Sequence, residues 1–122
     1  MTTWITVCDT CKTDTWQEGD PVTDGERLAD LVEAAAADQP EVAVRRHSCL
    51  MGCSRACNVT IQAEGKLNYT LGAFVPEAGT ARALVTYATL HAQSDTGQVP
   101  YRSWPAEVKG HFTTRHPPLP QT

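Results

Sequence analysis

The feature that most constrains this chain is where its cysteines fall. Two occur as Cys8-Asp-Thr-Cys11 directly after one apolar run, and two as Cys49-Leu-Met-Gly-Cys53 shortly after another. The runs are Thr3 to Val7, and Val42 with Val44 alternating against Ala43 and Arg45. Both read as strands. Between them Thr23-Asp-Gly-Glu26 offers a helix start, with a capping threonine and a glutamate three residues on. Leu28, Leu31, Val32, Ala35 and Ala36 then recur on one helical face until Asp38-Gln-Pro40 ends it. Strand, helix and strand imply parallel neighbours joined by a right-handed crossover. Neighbouring parallel strands end on the same sheet edge, so the spacing predicts that the two thiol pairs converge.

The rest of the chain extends this unit. Asn58 to Ala63 reads as a third strand, Glu64-Gly65-Lys66 as a hairpin turn and Leu67 to Leu71 as a fourth strand. A second helix carries Ala81, Leu84, Val85 and Ala88 on one face. From Ser94 onwards Gly97, Pro100, Pro105, Pro117, Pro118 and Pro120 interrupt every period. The expectation is an α/β fold with a mixed sheet flanked by helices over residues 1–93. Residues 94–122 read as an irregular C-terminal extension, packed on the same domain through Trp104 and Phe112.

Four converging thiolates suit an iron–sulfur cluster or a zinc ion. A chain of 122 residues with a 41% hydrophobic fraction can build a core without staples, so its five cysteines need another reason. An odd number also leaves one thiol outside any closed disulfide framework. Gly52 suits the tight turn that a ligand loop makes. Cys57, the fifth cysteine, reads as a small buried residue at the start of the third strand, or as a ligand replacing Cys8 or Cys11. A thiol–disulfide oxidoreductase using Cys8 and Cys11 is a further reading. Such a pair normally opens a helix, whereas here a polar loop follows it.

The remaining residues narrow the function class. A net charge of -4 argues against a nucleic-acid surface. No apolar stretch of about 20 residues is present to span a membrane. The opening Met1-Thr-Thr-Trp4 reads as the approach to a strand and not as a signal peptide, which places the expectation in the cytoplasm. His47 stands near Cys49, but no paired Cys–His spacing of the Rieske kind occurs, and His111 and His116 fall in the Pro-containing extension, where solvation is expected. Arg45, Arg46 and Arg55 flank the second loop. They form either a solvated face or a positive environment that favours the reduced form of an anionic centre. With no Gly-rich phosphate loop and no Ser-His-Asp arrangement, no catalytic residue is expected and the chain does not read as a stand-alone enzyme.

The segment Cys49-Leu-Met-Gly-Cys53-Ser-Arg-Ala-Cys57-Asn-Val-Thr-Ile resembles the second ligand loop of thioredoxin-like [2Fe-2S] ferredoxins, and of the small iron–sulfur subunit of NADH:quinone oxidoreductase. More closely, the chain resembles the small metal-binding family catalogued as domain of unknown function 1636. That match lies in Val7-Cys8-Asp-Thr-Cys11, Asp24-Gly25, Leu28, the loop from Cys49 to Cys57, Leu71-Gly72 and Asp95-Thr-Gly97-Gln-Val-Pro100. The family match implies a thioredoxin-like fold and a bound metal centre but gives no reaction by itself; the ferredoxin resemblance implies a one-electron carrier with a [2Fe-2S] cluster, Cys8 and Cys11 on one iron and Cys49 and Cys53 on the other. It also implies redox partner proteins and a homodimer, with zinc as the alternative metal. Association of some members with cobalamin metabolism implies an electron-donor role in that setting. Two features depart from the ferredoxin pattern: only two residues separate the first pair, and Cys57 stands where those families have proline.

Overall fold

Thr23 caps a helix over Asp24–Ala36 (α1), as its sequence predicts. Its hydroxyl accepts the Glu26 N–H at 3.1 Å, and the Glu26 carboxylate accepts the Thr23 N–H at 3.3 Å. Leu28, Ala29 and Val32 are fully buried on the inner face of this helix. The computed structural model describes residues 2–51 and 55–120. Strand β1, Thr3–Cys8, precedes α1, and β2, Val42–His47, follows it. Then come β3, Val59–Gln62, β4, Asn68–Leu71, a second helix α2, Ala78–Gln93, and a fifth strand β5, Phe112–His116.

The five strands form one sheet in the order β2-β1-β3-β4-β5. β1 pairs in parallel with β2 and antiparallel with β3, and β4 runs antiparallel to both β3 and β5. This is the mixed α/β sheet expected from the strand–helix–strand order. α1 and α2 pack on each other and on β1. Ile5, Val7, Val59, Ile61 and Leu71 are fully buried beneath Leu84, Tyr87 and Ala88 of α2 and the inner face of α1. The opposite face is polar. There Arg45 donates to the Thr6 hydroxyl and to the Gln62 side chain, and the Trp4 ring is 42% exposed.

The extension from Ser94 onwards is more ordered than the proline pattern predicts. Two single-turn 3₁₀ helices, Tyr101–Ser103 and Ala106–Val108, lead into β5, which pairs with β4. Prolines sit ahead of each short helix, so they start turns that local periodicity does not reveal. Phe112 and Trp104 pack together, with ring centroids 4.6 Å apart, and both meet the Tyr87 ring of α2. His111 is not a free surface group, since its Nδ1 lies 2.8 Å from the Gly72 carbonyl and its ring stacks on Phe74 at 4.5 Å. His116, at the end of β5, is exposed.

A buried polar bridge ties α2 to the start of the sheet. His91 is fully buried. Its Nε2 lies 2.7 Å from the Leu67 carbonyl, which can only accept, so Nε2 carries the proton. Nδ1 then accepts from the Thr3 hydroxyl at 2.8 Å. Lys66, also buried, donates to the carbonyls of His91 and Ala92 at the end of α2, where the helix dipole favours a cation. Burial first, and the nearby Lys66 charge, hold the His91 imidazole below its ordinary pKa, against the Leu67 bond that raises it. The unfolded chain therefore takes a proton that the folded chain refuses, and stability falls as pH drops from about 6.5, the unperturbed value. Asp20, whose carboxyl is lowered by its bond to Arg27, gives the same direction of loss, but only nearer 3.8. Urea midpoints are expected to fall between pH 7.5 and about 5, and to fall much less in His91→Gln. Parallel pH dependence in the two proteins would rule out His91 as the source.

Candidate metal centre

Parallel pairing of β1 and β2 sets Cys8 opposite His47, so the turn after Cys8 and the loop after His47 leave the sheet at one edge. The Asp9 N–H bonds to the His47 carbonyl at 3.2 Å, and the Cys8 N–H to the Asn58 carbonyl at 3.0 Å. Three chain segments therefore meet around the Cys8–Cys11 turn. α1 closes it from below. The Thr23 hydroxyl donates to the Asp9 carbonyl, and the Gly25 N–H donates to the Cys11 carbonyl at 2.9 Å. Asp24, nearly fully buried, accepts the Thr13 N–H at 2.7 Å and its hydroxyl at 2.9 Å, which fixes the chain leaving Cys11. Glycine is required at position 25 by space. A Cβ there would stand 2.0 Å from the Cys8 carbonyl oxygen.

Cys8, Cys11 and Cys57 are all buried, with relative exposures of 1%, 2% and 0%. Burial raises the Cys8 thiol, but bonds from the Thr10 hydroxyl, the Cys11 thiol and the N–H groups of Leu50 and Thr10 outweigh it, leaving the pKa below its ordinary value. Burial pushes Cys11 up to about 12, and the neighbouring Cys8 adds to this. The Asn58 N–H, 3.4 Å from the Cys11 sulfur, opposes the rise, with the Asn58 side-chain amide at 3.9 Å. Cys57 is also pushed up to about 12, by burial and then by the charges of Cys11, Asp24 and Cys8. A peptide bond in the cis form joins Ala56 to Cys57.

The predicted ligands are thus treated differently by the fold. Cys8 and Cys11 come together, as their spacing implies. Cys57 joins them as a buried neighbour. Cys49 is exposed, and its backbone N–H bonds the Thr10 hydroxyl at 3.0 Å. Cys53 and Gly52 lie outside the described residues. Among the described residues no three Cys, His, Asp or Glu side chains gather closely enough to hold a metal ion. Cys8 and Cys11 fit as one ligand pair by the chemistry of the donors: two buried thiols near enough to act on each other's pKa, with N–H groups bonded to both. The described residues do not complete a four-thiolate set.

The arginines flanking the second loop have partners of their own. Arg46 pairs with Asp30 and Glu33 of α1, and Arg55 donates to the carbonyls of Gly110 and His111. Sequence reasoning missed Thr10, Asp24 and Asn58. Thr10 and Asn58 each stand next to a cysteine or between two, where a short polar side chain can reach sulfur, and that position was the available signal. Asp24 gave the signal of a first-turn acid and stands in the Asp24-Gly25 pair that carries the family resemblance.

No curated protein and no solved structure matches the chain. A family model covers nearly the whole of it, including the Cys8–Cys11 turn, the second cysteine loop and β5. From the match over residues 5–118, the chain belongs to the family described as Protein of unknown function (DUF1636).

Proposed function

We infer that this chain is a metal-centre protein, and that the centre is a [2Fe-2S] cluster serving one-electron transfer between redox partner proteins. The observation that carries the reading is the buried Cys8–Cys11 pair, held where β1 and β2 end side by side and supplied with N–H donors from Thr10, Leu50 and Asn58. Such donors stabilise thiolate sulfur and tune the potential of a cluster. Cys49 and Cys53 of the second cysteine segment are the ligands proposed to complete the set, with Cys57 as a buried packing thiol. When bound, the cluster would take up and release a single electron. The chain's own part is to hold the sulfurs, limit water around Cys8 and Cys11, and present the 49–53 loop to a partner. In this reading no side chain moves a proton and the chain is not an enzyme. A cytoplasmic setting and a homodimer belong to the same proposal. No described helix is long and apolar enough to cross a membrane.

Anaerobically purified protein is expected to absorb in the visible range and to contain two irons and two sulfides per chain. Serine at Cys8, Cys11, Cys49 or Cys53 should abolish that content, and Cys57→Ser should retain it. Colourless protein with zinc in place of iron would replace the cluster by a structural or regulatory zinc site. Loss of iron in Cys57→Ser with retention in Cys49→Ser would redraw the ligand set around the buried thiols.

One observation favours a second reading. The Cys8 and Cys11 thiols are buried neighbours, Cys8 held below and Cys11 above its ordinary pKa, which is also the arrangement of a reducible dithiol. Metal-free protein that reduces a disulfide substrate through Cys8 would support a thiol–disulfide oxidoreductase, and inactivity would remove it.

A further inference from the structure

A second concave site shares no lining residue with the cysteines. It is a pocket of about 400 Å³ built largely by the C-terminal extension, between residues 98–104 and the outer strands β4 and β5. Its walls include Tyr69, Val99, Pro100, Trp104 and Phe112, with Arg115 at one side. We propose that this pocket binds a planar aromatic carboxylic acid.

The walls select for a flat apolar body. Trp104 and Phe112 lie 4.6 Å apart at an interplanar angle of 31°, and the Tyr69 ring meets Phe112 edge-on at 5.3 Å and 84°. These rings pack on one another into one aromatic wall, and a ligand ring lying against its outer surface gains the offset or edge contacts that aromatic groups prefer. The indole N–H of Trp104 is already bonded to the Val99 carbonyl at 2.8 Å, so it is spent on fixing the wall and not left for a ligand. The volume suits one or two fused rings.

Charge selects the acid. Arg115 pairs with Tyr69 across β4 and β5, which places both side chains on the same face of the sheet. Arg115 is exposed and forms no ion pair with any described carboxylate. Lys109 does not line the pocket; its ammonium lies 4.6 Å from the centroid of Tyr101, a wall ring. In a chain of net charge -4, an aromatic-walled pocket whose lining holds Arg115 and no carboxylate is a local exception. A guanidinium recognises a carboxylate through two parallel N–H bonds. The ring enters the slot and the carboxylate stays at the Arg115 side. This assignment does not depend on what the cysteines hold.

The test is calorimetric titration of purified full-length protein with 2-naphthoate, and in parallel with the neutral 2-naphthalenemethanol. Saturable 2-naphthoate binding with a Kd of about 0.1 to 1 mM is expected for a ligand of this size. The neutral alcohol should bind about tenfold more weakly, and Arg115→Gln should weaken naphthoate by a similar factor while leaving the alcohol unchanged. Arg115 is exposed, so this substitution leaves the fold intact. Trp104→Ala should reduce binding of both. Absence of saturable naphthoate binding up to about 5 mM would overturn the proposal, as would equal affinities for the acid and the alcohol.

Discussion

Gly25→Ala is expected to destabilise the protein by about 3 kcal/mol or more, and to disturb the cysteine turn before any other part of the fold. The added methyl would lie 2.0 Å from the carbonyl oxygen of Cys8 and 3.0 Å from its carbonyl carbon. Both are backbone atoms of β1, a central strand, so no rotamer change can relieve the collision. Either α1 moves away, breaking the bond from the Gly25 N–H to the Cys11 carbonyl, or β1 shifts against β2 and β3. Urea unfolding measures the loss. The rate at which a thiol reagent modifies the buried Cys8 and Cys11 of metal-free protein measures the damage to the turn, and should rise in Gly25→Ala while an exposed substitution on the same helix, such as Glu33→Gln, leaves it unchanged. A loss of stability below about 1 kcal/mol would mean that α1 and the Cys8 turn are not in contact.

His91→Ala is the second large effect, about 3 kcal/mol, and it acts at the other end of β1. Removing the imidazole opens a cavity in a fully buried site, and strands the Leu67 carbonyl and the Thr3 hydroxyl without their partner. The loop opposite is set by this ring. Gly97, with φ of +83°, would carry a Cβ 2.7 Å from Nε2. Thr3→Ala removes one of the two bonds and no comparable volume, so it should cost markedly less, about 1 kcal/mol. Thermal unfolding of the two variants side by side gives the ratio. Near-equal losses would show that the ring contributes only through Thr3.

The strand and helix pattern was legible because local chemistry and tertiary placement agree. Thr23 and Glu26 form the capping box that their spacing announces, the apolar run after Met1 is the buried strand β1, and the period-3.6 run matches the buried face of α1. The convergence of Cys8 with the second loop was also legible, since it follows from parallel strands alone. β5 was not. Phe-Thr-Thr-Arg-His has one inward residue and four exposed ones, so it lacks alternation, and only the free edge of β4 makes it a strand. His91 was invisible for a related reason. Its partners, Thr3 and Leu67, lie on other elements and carry no sequence mark. Cys57 read by position as a small buried residue or a replacement ligand, and it is fully buried. That it also faces Cys8 and Cys11 depends on how the loop enters β3.

The placement of β5 has a consequence for how the chain reaches this structure. From Leu71 the chain runs through α2 and both 3₁₀ turns before Phe112 returns to pair with it. The other antiparallel contact of β4, with β3, closes across a short hairpin. Loop-closure entropy separates these two events, so the hairpin can form early while the outer edge of β4 waits. During that interval β4 offers unpaired backbone groups beside Tyr69, a side chain that ends up almost wholly covered. Kinetic competition between β5 and another chain for that edge makes self-association a matter of folding rate and concentration, even when the finished fold is stable.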